Sequence, residues 1–351
     1  MSPRIFHTWF VVTVVTVVLA IVVGLGRETA SFDLVKREPV FEDLRENPDA
    51  AAKVEVKSRF GAFSLLREDD GWVTPDRADY PVQESDVRRL IISLADMRFV
   101  ERKTANPERF YRLEVQDIDQ ELADSAYVKV SNVDGKVLSE LIVGRPSARF
   151  FAGNSSGTYI RFPDTDETWL VSSVTNVQTR LVPWLDREIV KIPADTVARI
   201  VVGEGEGTYV LSRPDLDTAF TVEGAPEGRT ADPEKVRTVS RALANVELED
   251  VKQRSAFALP DGAQLAEVVT FDGLSIRLRL VKEDRKNWGT FEAAFVGDAA
   301  DESEAATAAR AAAEAINARV ADWVYWVPGS VFDNLTQPVE AVLTPSKPDA
   351  S

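Results

Sequence analysis

The N-terminal apolar segment constrains this chain more than any other feature. Residues 9–25 carry no charged side chain, and Ile5 and Phe6 extend the apolar run toward the start of the chain. A helix needs about 20 such residues to cross the roughly 30 Å hydrocarbon core of a bilayer. We therefore predict a cytoplasmic stub and a transmembrane helix within residues 1–26. The predicted span contains Trp9, Phe10, Leu19 and Leu25.

The charges that flank this segment predict its orientation. Arg4 precedes the segment, whereas Arg27 and Glu28 follow it. Because basic residues are retained on the cytoplasmic side of a membrane, the N-terminus should be cytoplasmic and the body extracytoplasmic. A cleaved signal peptide is the alternative, but its apolar core normally spans only about 7–15 residues. The longer run favours an uncleaved single-pass anchor.

Composition removes several classes of chemistry from the body. The chain has no Cys, and its one His is His7. Thiol nucleophiles, Cys-ligated metal sites and imidazole catalysis are therefore excluded beyond that residue. The formal net charge of −16 repels nucleic-acid phosphates, so we predict no nucleic-acid partner. With no catalytic motif in the sequence, we predict a protein that is not an enzyme and has no cofactor and no metal.

The body is predicted to be an α+β fold. Alternation of apolar and polar residues predicts short strands, and Asp134-Gly135 and Asp272-Gly273 predict hairpin turns. Apolar residues at helical spacing predict helices at residues 85–97 and 234–246. The order of elements indicates two tandem repeats of antiparallel sheet with a covering helix, after the transmembrane helix. The predicted segments are a stalk (27–52), a first repeat (53–192), a second repeat (193–343) and a disordered tail (344–351).

The repeat rests on a constant spacing between similar residues. Four identities in the two predicted helices lie 149 positions apart, namely Val87/Val236, Arg88/Arg237, Leu94/Leu243 and Ala95/Ala244. Residues 72–74 and 220–222 match at a spacing of 148. The second repeat also contains an Ala-rich segment, residues 299–320, which is predicted to be a helix docked on the surface of the body.

Several sequence blocks resemble a known family. The longest block is residues 80–115, which contains Arg109-Phe-Tyr-Arg-Leu-Glu114, and shorter blocks are Leu141-Ile-Val-Gly144, Thr158-Tyr-Ile-Arg161, 168–170 and 183–190. They resemble domain-of-unknown-function family 4340 over residues 53–200, with weaker copies to residue 335. The resemblance implies a bacterial, membrane-anchored envelope protein, often encoded near gliding-type ABC transporter subunits. It implies no catalytic residues.

The segment of residues 145–157 is the candidate contact site. It combines arginine and aromatic side chains in a turn-rich stretch: Arg145, Arg149, Phe150, Phe151 and Asn154. Arginine and aromatic residues are enriched at protein interfaces, and they also form platforms for sugars. The alternative is a structural hairpin loop with Phe150 or Phe151 in the core.

Two other motifs are interpreted as turns. Residues 203–207 alternate Gly and Glu, but a strand is predicted after them where a phosphate loop requires a helix. Residues 164–167 hold three carboxylates but lack the Gly and distal Glu of a calcium loop. We predict a hairpin turn and a solvated β-turn, respectively.

These observations lead to two functional hypotheses. The first is a non-enzymatic inner-membrane protein with a periplasmic body, which serves as an accessory or scaffold subunit with a membrane-protein partner such as an ABC-type permease. The alternative is a periplasmic saccharide- or peptide-binding module. A deep pocket lined by Trp or Tyr would favour the binding module.

Overall fold

A computed structural model describes residues 38–150 and 155–345. The predicted transmembrane segment lies outside these residues. Within them, no helix combines the length and the apolar composition needed to cross a membrane. The described residues form a mixed α/β fold with mostly antiparallel sheets and few helices, and they divide into two compact units. One unit holds the residues up to 60 together with 89–177, and the other holds 61–88 and the residues from 178 onward.

The helices and strands have the following bounds. The α-helices are α1 (Glu42–Glu46), α2 (Glu84–Ala95), α3 (Pro233–Ser240), α4 (Glu304–Val320) and α5 (Gly329–Thr336). The strands up to residue 190 are β1 (Lys53–Ser58), β2 (Gly61–Glu68), β3 (Gly71–Thr74), β4 (Tyr80–Pro81), β5 (Phe99–Arg102), β6 (Ala126–Ser131), β7 (Val137–Phe150), β8 (Ser155–Arg161), β9 (Thr168–Val171) and β10 (Glu188–Val190). The remaining strands are β11 (Val197–Val202), β12 (Tyr209–Ser212), β13 (Thr221–Glu223), β14 (Arg229–Ala231), β15 (Val246–Glu247), β16 (Asp250–Gln253), β17 (Gln264–Thr270), β18 (Leu274–Glu283), β19 (Lys286–Phe295), β20 (Trp323–Trp326) and β21 (Leu343–Pro345).

The sheet of the first unit has the strand order β1-β6-β7-β8-β9-β5. Alternate residues point to one side, where Val56, Val128 and Leu141 lie beside one another in register and are fully buried. The apolar stripe predicted for α2 is also buried, including Leu94 and Met97. The alternation pattern therefore located both the strands and the core side of this sheet.

Residues 38–52 differ from the stalk predicted for 27–52. Phe41 and Leu44, three positions apart at α1, are both buried. The main chain is also held, because the Val40 amide donates to the Met97 carbonyl at 2.9 Å. The segment was predicted to be a stalk because its composition is mainly polar, but two of its apolar residues are buried. This stretch is therefore part of the first unit.

The second unit contains one meander, one large sheet and two ribbons. The meander pairs β2 with β3 and β3 with β4, and the large sheet has the order β13-β12-β11-β17-β18-β19-β20-β16. The ribbons pair β10 with β15 and β14 with β21. Because β21 begins at Leu343, Thr344 and Pro345 are in a strand, which corrects the start of the predicted tail; the rest of the tail lies outside the described residues.

The meander belongs to the second unit, although residues 61–88 were predicted to lie in the first repeat. Arg77 makes two hydrogen bonds to the Asp250 carboxylate, at 2.7 and 3.1 Å. Tyr80 donates to the Asp186 carbonyl and packs edge-on against Trp323 at a centroid distance of 4.8 Å. These contacts join residues more than 100 positions apart, which local sequence patterns do not report.

Helix α3 is shorter than the predicted helix of residues 234–246. Asp232 caps its N-terminus by accepting from the Glu234 and Lys235 amides. After Ser240 the chain leaves the helix, and the Leu243 carbonyl accepts from the Ile192 amide at 2.8 Å. The apolar positions after residue 241 therefore serve a turn and strand β15, not a helix.

Helix α4 docks on the large sheet, as predicted for the Ala-rich segment, although it begins at Glu304. Its buried face consists mainly of alanine, which allows close approach to β19. Strand β19 pairs with β20 only at Trp288 and Gly289. Further along β19, the Asn317 side chain both donates to and accepts from the Ala293 main chain, at 2.7 and 2.8 Å. An amide side chain therefore takes the place of a neighbouring strand there.

Tyr209 in β12 supplies a pH-dependent prediction. Its side chain is buried, and its hydroxyl has no hydrogen-bond partner among the described residues. Burial raises the pKa of this hydroxyl to about 12. Since a tyrosine in the unfolded chain titrates near pH 10, the neutral side chain stabilises the fold below about pH 10, and this contribution is lost as the pH rises toward 12.

We expect Tyr209→Phe to keep or raise the free energy of unfolding at pH 7. The unfolding free energy of the parent should fall between pH 10 and 12, and about 2–3 kcal/mol of this fall is due to Tyr209. The variant should lack that part of the fall. Urea denaturation at pH 7, 10 and 12 measures both effects. A loss of more than about 1 kcal/mol at pH 7 would mean that the hydroxyl has a partner.

Candidate contact site

The segment predicted as a turn-rich loop is largely a β-hairpin. Pairing of β7 with β8 continues through Pro146↔Thr158 and Ser147↔Gly157 to Phe150↔Ser155. This part of the hairpin, called here the β7–β8 ribbon (residues 144–150 and 155–157), has no neighbouring strand among the described residues, because β6 stops pairing at Val143 and β9 at Thr158. For residues 145–150 and 155–157, the predicted loop is therefore corrected to a two-stranded ribbon.

The base of the ribbon is held by the loop at residues 113–117. The Arg145 amide donates to the Leu113 carbonyl at 3.0 Å. A Cβ atom at Gly144 would lie 2.2 Å from that carbonyl oxygen and 2.6 Å from Cγ1 of Val115. Only glycine permits this close approach, which explains the physical role of Gly144 in the Leu-Ile-Val-Gly block.

Arg161 in β8 fixes the same loop from the other side. Its Nε donates to the Val115 carbonyl at 2.9 Å, and its Nη1 donates to the Thr165 carbonyl at 3.0 Å. Its Nη2 pairs with the Asp117 carboxylate. The guanidinium carbon also lies 4.9 Å from the centroid of the Phe110 ring. One buried cation therefore organises two loops, and its charge is compensated by a carboxylate.

An aromatic and cationic surface surrounds this anchor. Tyr127, Ile142 and Arg161 lie beside one another across β6, β7 and β8, and so face the same side of the sheet. Exposed Arg145 lies 5.9 Å from the Tyr159 ring centroid, and Lys57 lies 5.1 Å from that of Tyr127. Such contacts hold long cationic side chains in defined positions, so that less side-chain entropy is lost when a partner binds.

Tyr127 is a hydrogen-bond donor at this surface. Its hydroxyl donates to the Glu140 carboxylate at 2.5 Å. Burial, followed by the hydrogen bond and charge of Glu140, raises the pKa of Tyr127 well above its ordinary value. The side chain therefore remains neutral in the physiological range, and the surface keeps its positive arginine and lysine charges beside it.

The structure brings only part of the predicted site together. Arg145 stands on the ribbon, and Arg149 and Phe150 are residues of β7. Phe151 and Asn154 lie outside the described residues. Arg161 and Gly144 were not predicted from the sequence as individual site residues. Both end sequence blocks that carry the family resemblance, and that was the available signal.

The two other motifs have the predicted forms. Residues 203–207 connect β11 to β12, which pair up to Val202↔Tyr209, and Gly203, Gly205 and Gly207 all have positive φ angles. Residues 164–167 lie between β8 and β9, where Glu167 pairs with Arg102. Among residues 38–150 and 155–345, no cluster of three His, Asp or Glu side chains is arranged to hold a metal ion.

Three open clefts lie in the second unit. Their volumes are about 300, 1000 and 440 Å³. The largest is bounded by β13, β14, α3 and β21, and the smallest by α3 and α5. The third is bounded by the turn at residues 203–207 and by residues 262–265 at the start of β17. None of the three has a Trp or Tyr side chain in its wall.

These observations define a mixed α/β protein with mostly antiparallel sheets whose first unit carries a braced surface ribbon. Residues 72–263, more than half of the chain, match a family described as domain of unknown function (DUF4340). The chain belongs to this family, as the sequence blocks predicted. No curated protein and no solved structure matches it.

Proposed function

We propose that the chain is a non-enzymatic accessory or scaffold subunit of an envelope assembly, with an ABC-type permease as the kind of partner. In this proposal a single N-terminal helix anchors it in the bacterial inner membrane, with the N-terminus in the cytoplasm and the body in the periplasm. The uncharged segment of residues 9–25 and its flanking charges support this arrangement. The family resemblance supports the bacterial envelope as its location.

We further propose that the body consists of two tandem repeats. The order β1-β6-β7-β8-β9-β5 in the first unit corresponds, strand for strand along the chain, to β11-β17-β18-β19-β20-β16 in the second. The β12–β13 pair also corresponds to β2–β3, and α3 to α2. Helix α4 is an insertion between β19 and β20. A shared order of this length supports duplication better than the few sequence identities do.

The observation that carries the scaffold proposal is the β7–β8 ribbon. It extends past its neighbouring strands, its base is rigid through Gly144 and Arg161, and it presents Arg145 on an aromatic ring. Exposed loops and hairpins on a rigid support are common contact elements, and arginine beside aromatic residues is typical of interface hot spots. Clefts without Trp or Tyr in their walls give less support to a saccharide-binding module.

We expect Arg145→Ala combined with Arg149→Ala to weaken partner association at least tenfold while leaving the unfolding free energy within about 0.5 kcal/mol of the parent. The measurement is affinity purification of the full-length protein from detergent-extracted membranes, with quantitative identification of co-purifying membrane proteins. Arg45→Ala, at an exposed position of α1, is the matched control. The proposal fails if the same membrane proteins are recovered with the double variant and the parent, or if no permease component is enriched.

A further inference from the structure

The largest of the three clefts described above is a groove in the second unit with a volume of about 1000 Å³. Its apolar wall includes Phe220, Ala231, Pro233 and Val236. Its charged side chains are both arginines, Arg213 and Arg237, in a chain with 57 acidic and 41 basic residues. The groove is therefore positively charged, whereas the chain as a whole is negatively charged, and the same groove has an apolar wall.

The two arginines differ in availability. The Arg213 guanidinium donates to the main-chain carbonyls of Val197, Ala194 and Asp195, so its donors are largely used by the fold. Arg237 pairs with Glu234, but both side chains are more than half exposed. Exposed ion pairs contribute little stability, so an acidic ligand can compete for Arg237 at low cost.

One edge of the groove is a strand edge that has no paired strand in the described part of the chain. Strand β13 ends its sheet and pairs with β12, whereas the following strand, β14, pairs with β21 instead. In the meander, the corresponding strand β3 takes β4 on that side. There the Val82 amide donates to the Trp72 carbonyl at 2.9 Å. At the spacing of 148 positions, Trp72 corresponds to Phe220, which lines the groove.

We propose that this groove binds an extended peptide segment, which adds to the outer edge of β13 as β4 adds to β3. The peptide accepts and donates main-chain hydrogen bonds at residues 220–222, packs an apolar side chain against Phe220 and Val236, and places an acidic side chain near Arg237. Strand addition obtains affinity from the main chain and specificity from such side-chain positions. This site uses the repeat proposed above but is separate from the β7–β8 ribbon.

The chain itself supplies a suitable probe. A fluorescein-labelled peptide with the sequence of residues 78–83, Ala-Asp-Tyr-Pro-Val-Gln, contains the strand that pairs at the equivalent edge, together with one acidic side chain and one aromatic side chain. We expect saturable binding to the purified full-length protein by fluorescence anisotropy below about 1 mM peptide. Ala219→Trp, which adds a large side chain to the groove wall, and Arg237→Glu should each weaken binding about tenfold. Lys235→Glu, on the same helix but outside the groove wall, should not.

Two modified peptides test main-chain pairing directly. Methylation of the amide nitrogen at the position of Val82 removes the donor that the Trp72 carbonyl of β3 receives from the residue after β4, so binding should fall about tenfold. Methylation at the position of Gln83, whose amide in the chain donates to Trp184 instead, is the matched control. Equal binding of the two methylated peptides would refute strand addition.

Two further outcomes would overturn the proposal. One is the absence of saturable peptide binding, and the other is equal binding by the parent and folded Ala219→Trp. Sedimentation with phosphatidylglycerol vesicles that Ala219→Trp abolishes, without peptide binding, would make the groove a lipid surface. Each result is independent of the co-purification experiment, so failure here and failure of the scaffold proposal are distinguishable.

Discussion

Leu94→Ala and Leu243→Ala should each lower the free energy of unfolding by about 2–5 kcal/mol, the range for deleting a core leucine. The two side chains are 0% and 2% exposed, and they lie in different compact units. Each substitution removes buried apolar area and leaves a cavity that the surrounding side chains fill only in part. Urea denaturation followed by tryptophan fluorescence measures the loss.

Ile92→Ala is the matched control for this pair. Ile92 lies on α2, two positions from Leu94, and is 43% exposed. Its replacement should change the unfolding free energy by no more than about 0.5–1 kcal/mol, because much of the side chain already contacts water. If either leucine variant instead unfolds like the parent, the equivalence of residues 94 and 243 in the proposed repeats is wrong.

Arg161→Met should lower the unfolding free energy by about 2–4 kcal/mol and release the loop at residues 113–117. Methionine preserves much of the side-chain volume but leaves the Val115 and Thr165 carbonyls without their donors. The Asp117 side chain is 52% exposed, so it can be rehydrated, which keeps the loss below that of a fully buried pair. Hydrogen exchange of the amides between residues 107 and 117 should accelerate along with the loss of stability.

The surface pair of Arg102 and Glu167 gives the control for this prediction. Both side chains are about half exposed, so Arg102→Met should change stability by less than about 1 kcal/mol. Similar losses in Arg102→Met and Arg161→Met would show that the buried position of Arg161 has no special role. Restoration of the parent's stability in Arg161→Lys would show that charge alone suffices, without the fork geometry of guanidinium.

Strands and hairpins of this protein could be predicted because their signals are local. Alternation along β6 and β7, with Asp134-Gly135 between them, encodes both the strands and the turn. The end of α3 could not be predicted in this way. Leu243 continues the apolar spacing of the helix, but its main-chain carbonyl accepts a hydrogen bond from the Ile192 amide. This tertiary hydrogen bond accompanies the end of the helix, and local sequence patterns do not report it.

The candidate site was predictable in composition but not in form. Arg145 and its neighbours were identified because arginine and aromatic residues stand out in an acidic chain. These residues continue strand β7 because they pair with residues 155–158. Local strand propensity does not predict this pairing. The role of Arg161 depends on carbonyl groups at Val115 and Thr165, and a carbonyl has no sequence signature. Sites built from main-chain acceptors are therefore the hardest to predict.

The amide clamp of Asn317 on β19 has a consequence for how molecules of this protein can associate. A bare strand edge is a template on which a second chain can polymerise. By occupying the main chain of Ala293, Asn317 removes that template from a part of β19 that lies beyond the pairing with β20 at Trp288 and Gly289. A second chain can therefore pair with β19 at Ala293 only by displacing the Asn317 side chain, so the helix that covers this sheet also protects part of an interior strand from association with another molecule.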